Sequence, residues 1–172
     1  MIKKKIIITG GSGYIGSSLA NFLSDNCEVI TLDKRKKNNF LNNKIKHFTC
    51  NIINKKKIKN LLIKIKPDVL VHLAGQSTID LVEKEKNKYY RNNILATNIL
   101  VEIVKELKIS KFIFSSTAAI YDKSNHILKE TNKIKSNNSY GLSKIKCEKI
   151  IVENLKFSKT KYCILRFFNV AS

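Results

Sequence analysis

Three glycines spaced three residues apart, Gly10, Gly13 and Gly16, stand between an apolar run and an amphipathic stretch near the start of this 172-residue chain. The segment Thr9-Gly10-Gly11-Ser12-Gly13-Tyr14-Ile15-Gly16 follows residues 5–9, which read as a fully buried strand. It opens residues 14–23, which put Ile15, Leu19, Phe22 and Leu23 on one side of a helix. Glycines at such a junction permit a tight turn, let the backbone approach a ligand, and allow the helix to pack closely on the strand. The N-terminus of the helix adds exposed N–H groups and the positive end of its dipole, which together make a seat for an anion.

The rest of the chain repeats the same alternation. Strands are expected at residues 28–32, 44–49, 69–73, 111–115 and 162–167, and helices at 55–66, 89–107 and 140–154. Pro67, the only proline, cannot continue the helix before it. Short apolar runs alternating with helix-length amphipathic segments form βαβ units. The fold class that follows is α/β, a doubly wound parallel sheet with helices on both faces, since right-handed crossovers leave little else. Without an internal linker or repeat, residues 1–172 read as one domain. Ligands of such sheets sit beyond the carboxyl ends of the strands, and each motif below falls at one of those ends.

Composition removes several classes of function. No apolar run approaches bilayer-spanning length, and Ile6-Ile7-Ile8 after the basic start is too short for a signal-peptide core. A cytoplasmic address with no membrane partner is therefore expected. Cysteines at 27, 50, 147 and 163 and histidines at 47, 72 and 126 lack metal-ligand spacing, so reduced thiols and no metal are expected. The net charge of +20 invites a nucleic-acid partner, but 30 of the 33 basic residues are lysines spread over every segment. Arg35, Arg91 and Arg166 are the only arginines, and no basic cluster interleaves with aromatics as stacking on bases requires. The charge reads as compositional bias, with no nucleic acid bound.

Four segments carry chemistry. Asp33 ends the second strand about twenty residues beyond the middle glycine, where a carboxylate accepts hydrogen bonds from an adenosine ribose and repels a 2′-phosphate. That favours NAD over NADP, although Lys34 and Arg35 are adjacent. Tyr140-Gly141-Leu142-Ser143-Lys144 puts Tyr140 and Lys144 four apart on one helix face. An ammonium beside a phenol favours the phenolate, which suits a general base for a sugar hydroxyl. Ser115-Ser116-Thr117 brings hydroxyls to the end of the fifth strand. In His72-Leu73-Ala74-Gly75 the small residues suit a backbone running past a cofactor, and His72 reads as structural.

Together these residues resemble the extended short-chain dehydrogenase/reductase superfamily, and within it the nucleotide-sugar epimerases. The likeness runs from Ile6 to Asn169 through Thr9–Gly16, Phe114-Ser115-Ser116-Thr117-Ala118-Ala119-Ile120-Tyr121 and Arg166-Phe167-Phe168-Asn169. It implies a bound NAD that transiently oxidises C4 of a nucleotide sugar, a UDP-hexose. Tyr140 resembles the base, Lys144 the residue that tunes it and holds the nicotinamide ribose, and Thr117 the hydroxyl partner. Gly10, Gly13, Tyr14, Ile15, Gly16, Asp33 and Asn51 match cofactor contacts, as do Ile52, Leu73, Ala74, Gly75, Asn92 and Phe168. Asn169, with Thr117 and Tyr140, falls where the family meets substrate.

Nucleotide-sugar dehydratases carry Asp-Glu after the threonine. Here Ala118 and Ala119 stand there, with no group to protonate a leaving hydroxyl. Asn51 replaces an aspartate that faces the adenine, and Ser77 takes the place of a lysine. Members of the family are about twice this length, since a substrate lobe follows. The sequence thus reads as an NAD-binding domain that stops before that lobe, with an apolar sheet edge expected to associate with the lobe or with a second copy. Two alternatives stay open: a dinucleotide-binding module without turnover, and a related dehydratase or reductase.

Overall fold

The alternation of apolar runs becomes six parallel strands in a computed structural model that describes residues 3–77, 86–122 and 126–170. The strands are β1 (Lys5–Thr9), β2 (Glu28–Asp33), β3 (Lys46–Thr49), β4 (Val69–His72), β5 (Lys111–Thr117) and β6 (Lys161–Phe167). They hydrogen-bond in the order β3-β2-β1-β4-β5-β6. The order reverses between β1 and β4, which pair from Ile6 with Val69 to Thr9 with His72. That reversal opens a crevice at the carboxyl ends of both strands.

Alternation along β1 separates two cores. Ile7 joins Ile58 and Leu62 of α2 (Lys55–Ile65), Leu100 and Ile103 of α4 (Ala96–Glu106), and Ile151 of α5 (Ser139–Leu155) on one face. Ile6 and Ile8 join Ala20 of α1 (Tyr14–Leu23), with Leu41 and Ile45, on the other. The doubly wound arrangement therefore stands. Asn54 caps α2 by accepting from the Lys57 N–H at 3.1 Å. Lys66 ends α2 in the left-handed region at φ 52°; the following Pro67 bars it from the right-handed helical region.

The structure departs from expectation in one element that matters. Instead of one helix over 89–107, the chain forms a short α3 (Lys86–Tyr89), a π-helical turn (Tyr90–Leu95) and then α4. The Ala96 N–H reaches back to the Arg91 carbonyl, one residue further than in an α-helix. β3 begins at Lys46 and β5 continues to Thr117, so the strand itself delivers Thr117 to the sheet edge. β6 is the outer strand, and Leu165, Phe168 and Val170 around its end are exposed. No helix among the described residues is long and apolar enough to cross a membrane. Cys27, Cys50, Cys147 and Cys163 are free thiols, and no cluster among the described residues is arranged to hold a metal.

Candidate active site

Beyond the carboxyl ends of β1, β2, β4, β5 and β6 lies a cleft of about 860 Å³. Its floor is the glycine turn. Gly10 adopts φ 75° and its N–H donates to the Leu32 carbonyl at 2.8 Å, which ties the turn to β2. A Cβ on Gly10 would lie 2.8 Å from the Ala74 nitrogen, so the loops after β1 and β4 touch there. A Cβ on Gly16 would lie 2.2 Å from the Gly10 carbonyl oxygen, so only glycine lets α1 seat against its own turn. Gly13 is the N-cap of α1, without a side chain to satisfy the first-turn N–H groups and without an acidic residue in that turn. An uncapped, positive helix end facing a cleft fits a dinucleotide pyrophosphate.

The remaining expected cofactor residues line the same cleft. Tyr14 and Ile15 stand at the helix start, and Asn51 and Ile52 at the loop after β3. Leu73, Ala74 and Gly75 line the wall after β4, with Ser77 beyond them. Asn92, Phe168 and Asn169 complete it. Asn51 also braces its own loop, where its side-chain oxygen accepts the Ile53 N–H at 3.2 Å. Asp33 is buried at the end of β2. Burial alone would raise its carboxyl, but the Arg35 guanidinium, the Arg35 backbone and the Ser12 N–H hold it below the usual carboxylate range.

Thr117, Tyr140 and Lys144 converge at the other end. Asn138 caps α5 by accepting from the Gly141 N–H at 2.7 Å. A Cβ on Gly141 would lie 2.4 Å from the Ala119 carbonyl oxygen, so glycine there lets α5 approach the 3₁₀ turn (Ala118–Ile120) that follows Thr117. The Thr117 hydroxyl is near enough to the Tyr140 phenol to favour its ionised form. The Lys144 ammonium donates to the Ser115 carbonyl at 2.7 Å and lies 6.0 Å from the Tyr140 ring centroid. Burial lowers Lys144 to about pH 8, partly offset by Cys147 and Glu148.

The expectation that Lys144 makes the phenol more acidic is not met in this state. Burial pushes Tyr140 up, and the nearby Thr117 hydroxyl offsets only part of it. The ammonium is spent on a backbone carbonyl, and the charge that would stabilise a phenolate is directed elsewhere.

Alternation along β5 turns Ser116 away from Ser115 and Thr117, and the three hydroxyls take different partners. Ser115 donates to the His72 carbonyl at 3.2 Å. Ser116 is buried and donates to Glu148 in a short bond. Only Thr117 meets Tyr140. His72 is structural as expected: it is buried, with Nδ1 2.7 Å from the Thr9 hydroxyl and Nε2 3.2 Å from that of Thr97. Burial, reinforced by the Lys144 charge, lowers it to about pH 3, so it stays neutral.

Sequence reading passed over Asn93. It is buried in the π-helical turn, beside the cleft-lining Asn92. Its Oδ1 accepts from the Gln76 N–H at 2.7 Å, while Nδ2 donates to the Gln76 carbonyl at 3.1 Å and to the Ser143 hydroxyl at 2.9 Å. The doubled Asn92-Asn93 was the available signal, but a regular helix gave no reason for both to matter. π-turns of this kind concentrate at functional sites.

A parallel sheet of this order, with a glycine turn at its switch point and a cleft at the carboxyl ends of its strands, defines a dinucleotide-binding domain. Residues 6–172 match the model of the NAD dependent epimerase/dehydratase family, and the chain belongs to that family. NAD is the cofactor.

Among curated relatives, a dTDP-D-glucose 4,6-dehydratase of Dictyostelium discoideum is 33% identical over 97% of this chain and 44% of its own length. A UDP-glucose 4-epimerase of Mycoplasma genitalium is 30% identical over 98% of this chain and 53% of its own. Among solved structures, a UDP-glucose 4-epimerase superposes with TM-score 0.91 at 30% identity, covering 98% of this chain and 52% of that one. The UDP-Glc/GlcNAc 4-epimerase of Campylobacter jejuni gives 0.88 at 34%, covering 98% and 54%. The chain thus spans about half the length of the relatives it matches.

Proposed function

We propose that this chain is the NAD-binding portion of a nucleotide-sugar epimerase of the UDP-glucose 4-epimerase type, acting at C4 of a UDP-hexose. The observation that carries the reading is the meeting of Thr117 and Tyr140 at the cleft edge with Ala118 and Ala119 next in sequence. One hydroxyl and one phenol can hold and move the proton of a sugar hydroxyl, and no carboxyl pair stands there to expel one. The alanines weigh against dehydration despite the similar dehydratase.

Bound NAD supplies a hydride acceptor and donor. Tyr140 takes the 4-hydroxyl proton and Thr117 fixes the oxygen. The phenol needs a nearby positive charge to do this near neutral pH, and Lys144 is one helical turn away. A shift of its ammonium from the Ser115 carbonyl toward the phenol supplies that charge. Asn169 lines the exposed end of the cleft, and this reading assigns it to the substrate.

The test is interconversion of UDP-galactose and UDP-glucose by the full-length polypeptide carrying these residues, beside its Tyr140→Phe variant. Loss of a general base should lower turnover about 100-fold or more while NAD still binds. Unchanged turnover in Tyr140→Phe overturns the assignment. Bound NAD with no turnover of any nucleotide sugar favours a binding module instead.

A further inference from the structure

Two lysines begin the last two strands side by side. Lys111 of β5 and Lys161 of β6 are register partners, and the Lys161 N–H donates to the Ser110 carbonyl at 3.0 Å. Neighbouring strands stand about 4.8 Å apart, where like charges repel. Lys108 in the turn before β5 and Lys159 in the turn before β6 add to them, and all four are exposed. Lys156 completes the corner. Its ammonium lies 5.2 Å from the ring centroid of Phe157, which is 90% exposed.

A lysine-rich composition does not by itself account for this corner. Elsewhere several lysines have acidic partners, Lys55 with Glu102, Lys59 with Glu106 and Lys149 with Glu153. None of the five here ion-pairs with an acid among the described residues. The acids alongside are engaged: Glu106 and Glu153 as above, while the Asp68 carboxylate accepts the Lys5 N–H at 2.8 Å. The corner also lies at the amino ends of the strands. The cleft lies at their carboxyl ends, about 20 Å away along β5.

We propose that this corner binds single-stranded nucleic acid, with the lysines on backbone phosphates and Phe157 stacked on a base. A single strand carries its charges in line and leaves its base faces free, whereas a duplex hides them. Lysine ammoniums meet phosphate as point charges and phosphate contacts carry no sequence information, so binding is indifferent to sequence and to the sugar. One exposed ring suffices to stack a base but is little to anchor in a bilayer. Composition and spacing point away from nucleic acid because Lys108 and Lys111 join the turn over 156–160 only through the pairing of β5 with β6. The cleft stays open, so a dinucleotide and a strand bind together.

Fluorescence anisotropy of labelled oligo(dT) and oligo(U), titrated with the full-length polypeptide over a range of salt, tests this. Both should bind, with log K falling against log salt at a slope of about −3, as for four or five neutralised phosphates. K111Q/K161Q should make that slope shallower by about 1.4. F157S should weaken binding about tenfold and leave the slope unchanged. Melting curves and NAD titration should match the parent protein in both variants, since the corner is remote from the cleft. K129Q/K133Q, which removes the same charge from the segment after β5, should bind oligonucleotide like the parent. An equal loss in that variant would reveal diffuse charge and overturns the proposal. So does a parent protein that binds neither oligonucleotide, whether or not it binds phosphatidylserine vesicles.

Discussion

The Asn93 amide donates to the Ser143 hydroxyl at 2.9 Å, and Ser143 donates in turn to the Tyr140 carbonyl at 2.7 Å. The same amide pairs with both backbone groups of Gln76, one residue beyond the cleft-lining Gly75. One buried side chain therefore locks the start of the tyrosine–lysine helix to the loop after β4. Asn93→Ala leaves three polar groups without their partner, at about 1–3 kcal/mol for each that stays dry. Its melting temperature should fall, and NAD affinity should fall further than in Ser143→Ala, which keeps the Gln76 pairing. Calorimetric titration of both folded variants checks this; equal NAD affinity would show that Asn93 only stabilises.

Arg166 and Glu148 form the second buried polar feature. Arg166 Nη2 and Nε donate to Glu148 at 2.8 and 3.2 Å, and Nη1 donates to the Tyr121 hydroxyl at 2.5 Å and the Glu130 carbonyl at 3.1 Å. These contacts tie β6, and hence Phe168 and Asn169 just beyond it, to α5 and the segment after β5. Glu148 is 8% exposed and Arg166 21%, so the pair is only partly screened. Removing one partner by Arg166→Met should cost about 3 kcal/mol. The double variant with Glu148→Gln should recover part of that loss, since the stranded carboxylate is gone. A denaturation double-mutant cycle measures the coupling, and strict additivity would refute it.

His72 predicts an acid limb of stability. In the folded protein it is neutral down to about pH 3, held there by burial and then by Lys144, whereas an unfolded histidine takes a proton near pH 6.5. Its contribution is complete above about 6.5 and is lost as pH falls toward 3, because only the unfolded chain binds the proton in that window. Melting temperature should decline over that range. The decline should be shallower in His72→Gln, which cannot titrate. Parallel slopes for the two proteins would refute the assignment.

Much of this was legible in the chain. Glycine spacing, the strand runs and the Tyr140–Lys144 interval depend on local periodicity, and the structure puts them where periodicity says. Asp33 at the end of β2 is legible for the same reason. Asn93 was not, because one extra residue in a helical turn leaves no mark on an apolar pattern. Nor was the role of Gly141, whose missing Cβ makes room for Ser136 and for Ala119, the latter twenty-two residues earlier in the chain.

The sequence by itself determined the strand runs, the parallel α/β class and the glycine turn at the end of the first strand, because alternating burial and turn chemistry act over a few residues. The order of the strands came from their long-range pairing. Only the tertiary structure decided the charge states within that cleft. Burial, not the neighbouring ammonium, governs the Tyr140 phenol, and Lys144 spends its charge on the Ser115 carbonyl. Arg35, although largely exposed, closes on Asp33. Electrostatic energies depend on distance and dielectric between groups that lie far apart in the chain, and residue spacing carries neither.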